Sequence, residues 1–386
     1  MAQYFDWPGD TLDSLLSSAR ELLEDDSFPT VRRWREHGGK VIGHFQVYFP
    51  EEIAHAAGML PVKIRGAQVE PRHADARFGS YLCSILKTSL ELAISGRLEL
   101  DLFVSHPICD AARNLAAIWG RNLPYQSRIL YLPQNPNSIA SARYLRDEYA
   151  RVADVIAAIA GQPITDEALQ ASIAVFNENR ALLRRLYEFR RDAPWKLAVD
   201  ECYVLVALGS LMPREEHNAV LRAALPLIDA RDATARDLLR VVFEGGFCEQ
   251  PPLELLRTIG LSCYVVDDDL LIGLRWLTSD VERDDDPLLA LARAYLDQSS
   301  YSAVQHDLRK PKERMLLERI RGAGAQAAIL TAAKMCEPGL DEQVAYSRAL
   351  DEANIPYFVS EFEERMSSFD HLQIQLETFV ENVLFD

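Results

Sequence analysis

The chain has 386 residues, enough for about two or three domains whose cores need no disulfide staples. Hydrophobic residues make up 48% and charged residues 26%, which excludes a wholly disordered or fibrous chain. The formal charge of -17 makes nucleic acid and anionic membranes poor partners, because both repel a net acidic surface.

No apolar stretch approaches the roughly 20 residues that a membrane-spanning helix requires. The first ten residues lack the basic and apolar regions of a signal peptide. Cysteines at 83, 109, 202, 248, 263 and 336 are scattered too widely for a small secreted disulfide framework. A cytoplasmic protein with reduced thiols, some of them metal ligands, is the expectation.

Residues 11–38 place Leu12, Leu15, Leu16, Leu22 and Leu23 at helical spacing and end at Gly38-Gly39, which predicts an N-terminal helical arm over 1–39. Residues 40–49 read as a strand. Pro50-Glu-Glu52 then suits a helix start, with the helix spanning 51–58 and closing at Gly58. A short strand over 61–65, a polar loop to Phe78 and a helix over 80–95 follow, with Cys83 near the helix's first turn. The strand 100–105 leads into a loop presenting His106, Cys109 and Asp110, then a helix over 111–119 and a strand over 128–132. This alternation predicts a parallel sheet, and hence a first α/β lobe over 40–137.

From 138 to 230 the pattern turns helical, with a start signal at Thr165-Asp-Glu167, and reads as a helical connector. Strands at 240–243, 262–266 and 327–332 with helices between them predict a second α/β lobe over 231–386.

Gly322-Ala-Gly-Ala-Gln-Ala327 formally matches a dinucleotide-binding pattern, but it precedes a strand, whereas that fingerprint must follow one and open a helix. A helix-to-strand turn is expected there. No phosphate-binding P-loop pattern occurs. The trios Asp267-Asp-Asp269 and Asp284-Asp-Asp286 could ligate a hard cation, yet helix capping and loop solvation explain them more simply. His106 and Cys109 could pair as base and nucleophile, although no third orienting residue accompanies them.

A free cysteine is a small hydrophobe, which suits Cys202 within an apolar helix and Cys263 within a strand. Cys83, Cys109 and Cys336 differ, because each lies at an element boundary with polar neighbours, where α/β folds place ligand sites. Three such thiolates could hold an iron–sulfur cluster and leave one iron open, but their wide spacing does not by itself establish one.

Six segments belong together: Gly39-Lys-Val-Ile-Gly43, Phe49-Pro-Glu-Glu-Ile53 with Ala57-Gly58, Leu82-Cys83, Cys109-Asp110 with Arg113-Asn114, Asp267-Asp-Asp269 with Gly273-x-Arg275, and Lys334-Met-Cys-Glu-Pro338. In these the chain resembles the subunits of 2-hydroxyacyl-CoA dehydratases and benzoyl-CoA reductases, most nearly the smaller cluster-bearing reductase subunit. The resemblance implies two Rossmann-like lobes with a [4Fe–4S] cluster held between them by Cys83, Cys109 and Cys336. It implies reduction of benzoyl-CoA with electrons from ferredoxin. Its partners would be a related cluster-bearing subunit and two ATPase subunits that share a further [4Fe–4S] cluster.

On that footing His106 is expected as a proton donor near the cluster, and Asp110 and Glu337 as groups that tune it. Lys63, Arg65, Arg113 and Arg275 are expected to hold the CoA phosphates or the thioester, since an acidic protein must concentrate positive charge locally to bind an anion. Two other readings stay open at this point. One is a dehydratase subunit, and the other is a noncatalytic two-lobed protein that binds small molecules.

Overall fold

The computed structural model describes residues 4–45, 49–79, 82–245, 251–269, 277–300, 307–363, 366 and 368–385. Arg275 and Gly273 lie outside them, as does Cys248.

The chain begins with α1 (Leu12–Glu24) and α2 (Pro29–Glu36). The first α/β set then runs β1 (Val41–His44), α3 (Glu51–Ala56), β2 (Leu60–Lys63), α4 (Arg72–Asp75), α5 (Ser84–Ile94), β3 (Leu102–Ser105), α6 (Asp110–Asn122) and β4 (Gln126–Ile129). Helices α7 (Ser141–Ala160), α8 (Asp166–Asp192), α9 (Val199–Ala207) and α10 (Arg214–Asp229) follow. The second set is β5 (Leu239–Glu244), α11 (Leu253–Ser262), β6 (Cys263–Asp268), α12 (Pro287–Gln298), α13 (Lys312–Gly322), β7 (Ala327–Ala333), α14 (Glu337–Glu352), β8 (Tyr357–Phe362) and α15 (Asp370–Phe385).

The strands form two parallel four-stranded sheets, ordered β2-β1-β3-β4 and β6-β5-β7-β8. These are two Rossmann-like lobes of one topology: in each, the second strand flanks the first and the third crosses to its other side. Parallel sheets are covered on both faces, so their central strands read as continuous apolar runs. All seven residues of β7 are buried, as are all four of β3. Pro61 is tolerated because β2 is an edge strand.

Several boundaries differ from those predicted. β1 stops at His44 rather than 49, β2 ends at Lys63, and β4 ends at Ile129 rather than 132. Sequence reading missed β8 altogether. Tyr357 to Phe362 is a half-exposed edge strand carrying Ser360 and Glu361, so its apolar signal is diluted. The start at Thr165 is as predicted, for its side chain accepts from Ala168 N at 3.2 Å and caps α8. The glycines at 322 and 324 end α13 and turn into β7, as predicted from their order in the chain.

Helix α8 joins the two lobes. Toward the first lobe, Arg180 pairs with Glu52 of α3, and Ser172 Oγ donates to the Glu52 carbonyl at 2.9 Å while bonding His55. Toward the second, Arg190 pairs with Asp268 of β6, both being 1% exposed. Arg190 Nε and Nη2 also donate to Val265 O at 3.0 and 2.6 Å, and Tyr187 Oη donates to Asp268 at 2.8 Å. A second buried network ties α3 to α10: Arg214 pairs with Glu51, which also bonds His44 at 2.8 Å.

Gly245 lets the second sheet close. Its φ is +119°, and a Cβ there would lie 1.6 Å from the Thr331 carbonyl oxygen of β7. Asp269 Oδ2 accepts from Gly245 N at 3.0 Å and holds this crossing.

Removing one member of a buried ion pair leaves the other charge unpaired in a low-dielectric interior. Arg190→Ala is therefore expected to lower the unfolding free energy by about 3–5 kcal/mol, read from urea denaturation.

His217 provides a pH dependence. Its Nε2 bonds Leu205 O at 2.8 Å and its Nδ1 bonds Asn179 Nδ2 at 2.9 Å, a neutral arrangement. Burial, then the Arg214 guanidinium, push its pKa down from the ordinary 6.5 to about 3. The unfolded chain takes up this proton below pH 6.5 and the folded chain does not, so the contribution is present above that pH and is lost as pH falls toward 3. Between pH 6.5 and pH 5 the wild type is expected to lose roughly 2 kcal/mol more than His217→Gln, measured by denaturation at each pH.

Candidate functional site

Three cysteines converge on one cavity of 280 Å³, and each stands at the N-terminal end of a helix. Cys83 precedes α5, Cys109 caps α6 and Cys336 precedes α14. The cavity walls come from the segments that follow β1, β3 and β7 and from the start of α5, so both lobes contribute. Phe45, Leu86, Ile108 and Met335 make much of the apolar lining.

Local packing sets each cysteine. Helix α5 is fastened by Glu91, whose carboxylate accepts from His73 N at 2.8 Å and Ala74 N at 3.0 Å. Helix α6 lies on β3 with Trp119 stacked on Phe103 at 4.0 Å, and Ser105 Oγ donates to Ala112 O at 3.3 Å. Ala112 N donates to Cys109 Sγ at 3.3 Å. Before α14, Lys334 N donates to Phe362 O at 2.8 Å, which anchors the end of β7 to β8. Gly339 keeps the sulfur of Cys336 uncrowded, since a Cβ there would approach it to 3.4 Å.

The electrostatics are those of neighbouring thiols. Burial pushes the Cys109 thiol up, the bond from Ala112 N opposes this, and the nearby Cys336 and Glu337 add to the rise. Left alone, the group favours the neutral form. A cationic group bridging the sulfurs would reverse that preference, helped by the positive ends of three helices. Among the described residues no three His, Cys, Asp or Glu side chains converge closely enough to hold a single metal ion. Thiols are the donor type that iron–sulfur clusters take.

The other expected residues are dispersed. His106 is fully buried in the chain segment between β3 and Cys109, and it is not part of the cavity lining. Lys63 is buried at the end of β2, where its Nζ donates to Ile64 O at 3.3 Å. Arg65 lies 3.2 Å from Asp26 and 5.4 Å above the Phe28 ring, and lines a different cavity of 430 Å³ with Tyr203 and Arg257. Arg113 is exposed in the first turn of α6, 3.6 Å from Asp110, which itself faces the cysteine cavity. Arg275 lies outside the described residues.

The acidic trios are structural. Asp268 and Asp269 hold α8 and Gly245, while Asp286 caps α12 by accepting from Leu289 N at 3.0 Å. Cys202 and Cys263 are buried and apart from the cavity, as core residues should be. Sequence reading missed the apolar walls; their signal was Met335 directly before Cys336 and Ile108 directly before Cys109.

The sequence profile of the family described as "2-hydroxyglutaryl-CoA dehydratase, D-component" matches residues 46–383, a span holding all three cysteines. The chain belongs to that family. Among named proteins it is 36% identical over 377 residues to a benzoyl-CoA reductase subunit of Thauera aromatica, covering 96% of this chain and 98% of the relative. It is 29% identical over 375 residues to the beta subunit of lactoyl-CoA dehydratase of Anaerotignum propionicum, covering 96% and 99%. It is 24% identical over 361 residues to the beta subunit of (R)-2-hydroxyglutaryl-CoA dehydratase of Acidaminococcus fermentans, covering 92% and 95%. Among the described residues no helix is long and apolar enough to cross a membrane.

Proposed function

We propose that this chain is the iron–sulfur subunit of an ATP-dependent benzoyl-CoA reductase, with Cys83, Cys109 and Cys336 holding a [4Fe–4S] cluster. One observation carries the reading: cysteines from both lobes, far apart in the chain, line a single cavity. The 36% identical relative supports the choice of benzoyl-CoA as substrate.

The overall change adds two electrons and two protons to benzoyl-CoA and yields cyclohexa-1,5-diene-1-carbonyl-CoA. Ferredoxin supplies the electrons through two ATPase subunits that share their own [4Fe–4S] cluster, and the enzyme also includes a second, related polypeptide bearing its own cluster. When bound, the cluster supplies low-potential one-electron chemistry.

The chain's own residues do the rest. The N-termini of α5, α6 and α14 stabilise thiolate charge that an acidic protein would otherwise oppose, and Ala112 N bonds the Cys109 sulfur directly. Phe45, Leu86 and Ile108 exclude water from the cavity, which protects a strongly reducing site. Arg113, exposed beside Asp110 of the cavity lining, is a cation that would meet an anionic acyl-CoA there. Lys63 and Arg65 lie apart from the cavity lining, and His106 acts through the turn that presents Cys109.

A dehydratase subunit is the second reading, favoured by the beta subunits that match 92–96% of the chain. Electron stoichiometry separates the two. Net electron consumption per substrate turned over supports the reductase, and a catalytic trace of reductant supports the dehydratase.

Cys336→Ala, purified anaerobically, is expected to lose bound iron, sulfide and activity together, whereas Cys263→Ala keeps all three. Iron retained in Cys336→Ala would sink the ligand assignment.

A further inference from the structure

Met335 occupies a backbone conformation that its side chain type disfavours. Cys336 N donates to Ala333 O at 3.0 Å, closing a four-residue turn with Lys334 and Met335 at its centre. Met335 has φ +63° and Lys334 has no positive φ, the arrangement of a type II turn. The third position of such a turn is where glycine or asparagine sits at least cost.

Among the described residues only Phe28, Met335 and Asn354 share this left-handed backbone without being glycine. Asn354 is a residue type that tolerates it. Phe28 is 2% exposed, so core burial offsets its strain. Met335 is 55% exposed and has no such compensation, yet it lines the cysteine cavity. Exposed residues that line the cavity stand at its mouth, and of these Met335 is the apolar one, beside the acidic Asp110 and Glu337. The backbone on either side is pinned, by Lys334 N to Phe362 O before it and by the first turn of α14 after it, so the direction of the Cα–Cβ bond is set by the fold.

We infer that Met335 is the gate residue of the cysteine cavity, its thioether arm limiting the size of what reaches Cys83, Cys109 and Cys336. The thioether is flexible and apolar, suited to lie against a flat, apolar acyl group while excluding bulkier or strongly hydrated molecules. Only the identity of that acyl visitor rests on the proposed function. The steric role belongs to the chain itself.

The test uses the full-length, iron-free, reduced chain and reads alkylation of Cys83, Cys109 and Cys336 separately by mass spectrometry, with iodoacetamide as the small reagent and a pyrene maleimide as the bulky one. Met335→Gly and Met335→Ala are expected to accelerate the bulky reagent by about threefold or more and to change the small one little, since thiol reactivity follows access. Met335→Leu keeps the bulk and should react as the wild type does. Met335→Gly should also melt above Met335→Ala, because glycine relieves the turn and alanine does not.

Wild-type rates in both small variants, or equal acceleration in Met335→Leu, would overturn the gate. A wild-type protein that binds no iron in a parallel anaerobic reconstitution would overturn the proposed function instead, and leaves the alkylation result standing.

Discussion

The site depends on holding two separate sheets with their carboxyl ends turned toward one cavity, and buried charge on α8 is what holds them. A helix packed only by apolar contacts can slide along its groove. Arg190 bonded to Asp268 and twice to Val265 O has one satisfactory position, because any shift would strand a charge in a low-dielectric interior. Arg180 with Glu52 fixes the other half of the helix against the first lobe in the same way. The benefit of these pairs is geometric specificity more than net stability.

Because the two lobes share one strand order, Cys109 and Cys336 occupy equivalent places. Each follows the third strand of its sheet and stands at the start of the helix that comes next. In a sheet of this order the direction in which strands are added reverses between the first and third strands, and the loops there splay apart to leave a crevice. Facing two such crevices across one cavity doubles the helix N-termini aimed at it. Cys83, from the segment between α4 and α5, adds the third.

The same arrangement shows how a protein of charge -17 could offset thiolate charge on the three cysteines of the proposed site. Net charge acts over long distances and is screened by salt, whereas helix ends and peptide N–H groups act within a few ångströms of the atom they stabilise. The surface can remain acidic while these short contacts offset part of the cost that burial imposes on a thiolate in the cavity. The same local logic makes the apolar walls matter, since a low-dielectric lining strengthens each of those short contacts.

The sequence by itself determined the α/β class, the parallel sheets, the capped start of α8 and the identity of the three boundary cysteines. All of these rest on local rules: period, capping chemistry, and thiols placed where strands give way to helices. Only the tertiary structure decided that Cys83, Cys109 and Cys336 share one cavity, because their meeting is made by the packing of two lobes and carries no local signature. It also separated the expected basic residues, leaving Arg113 beside the cavity and drawing Arg65 to Asp26 and Phe28. A side chain's partner across the fold is not encoded in its neighbours along the chain. Met335 shows the boundary between the two most clearly: its type was legible beside Cys336, but its left-handed backbone and its place at the mouth of the cavity follow only from how β7 meets α14.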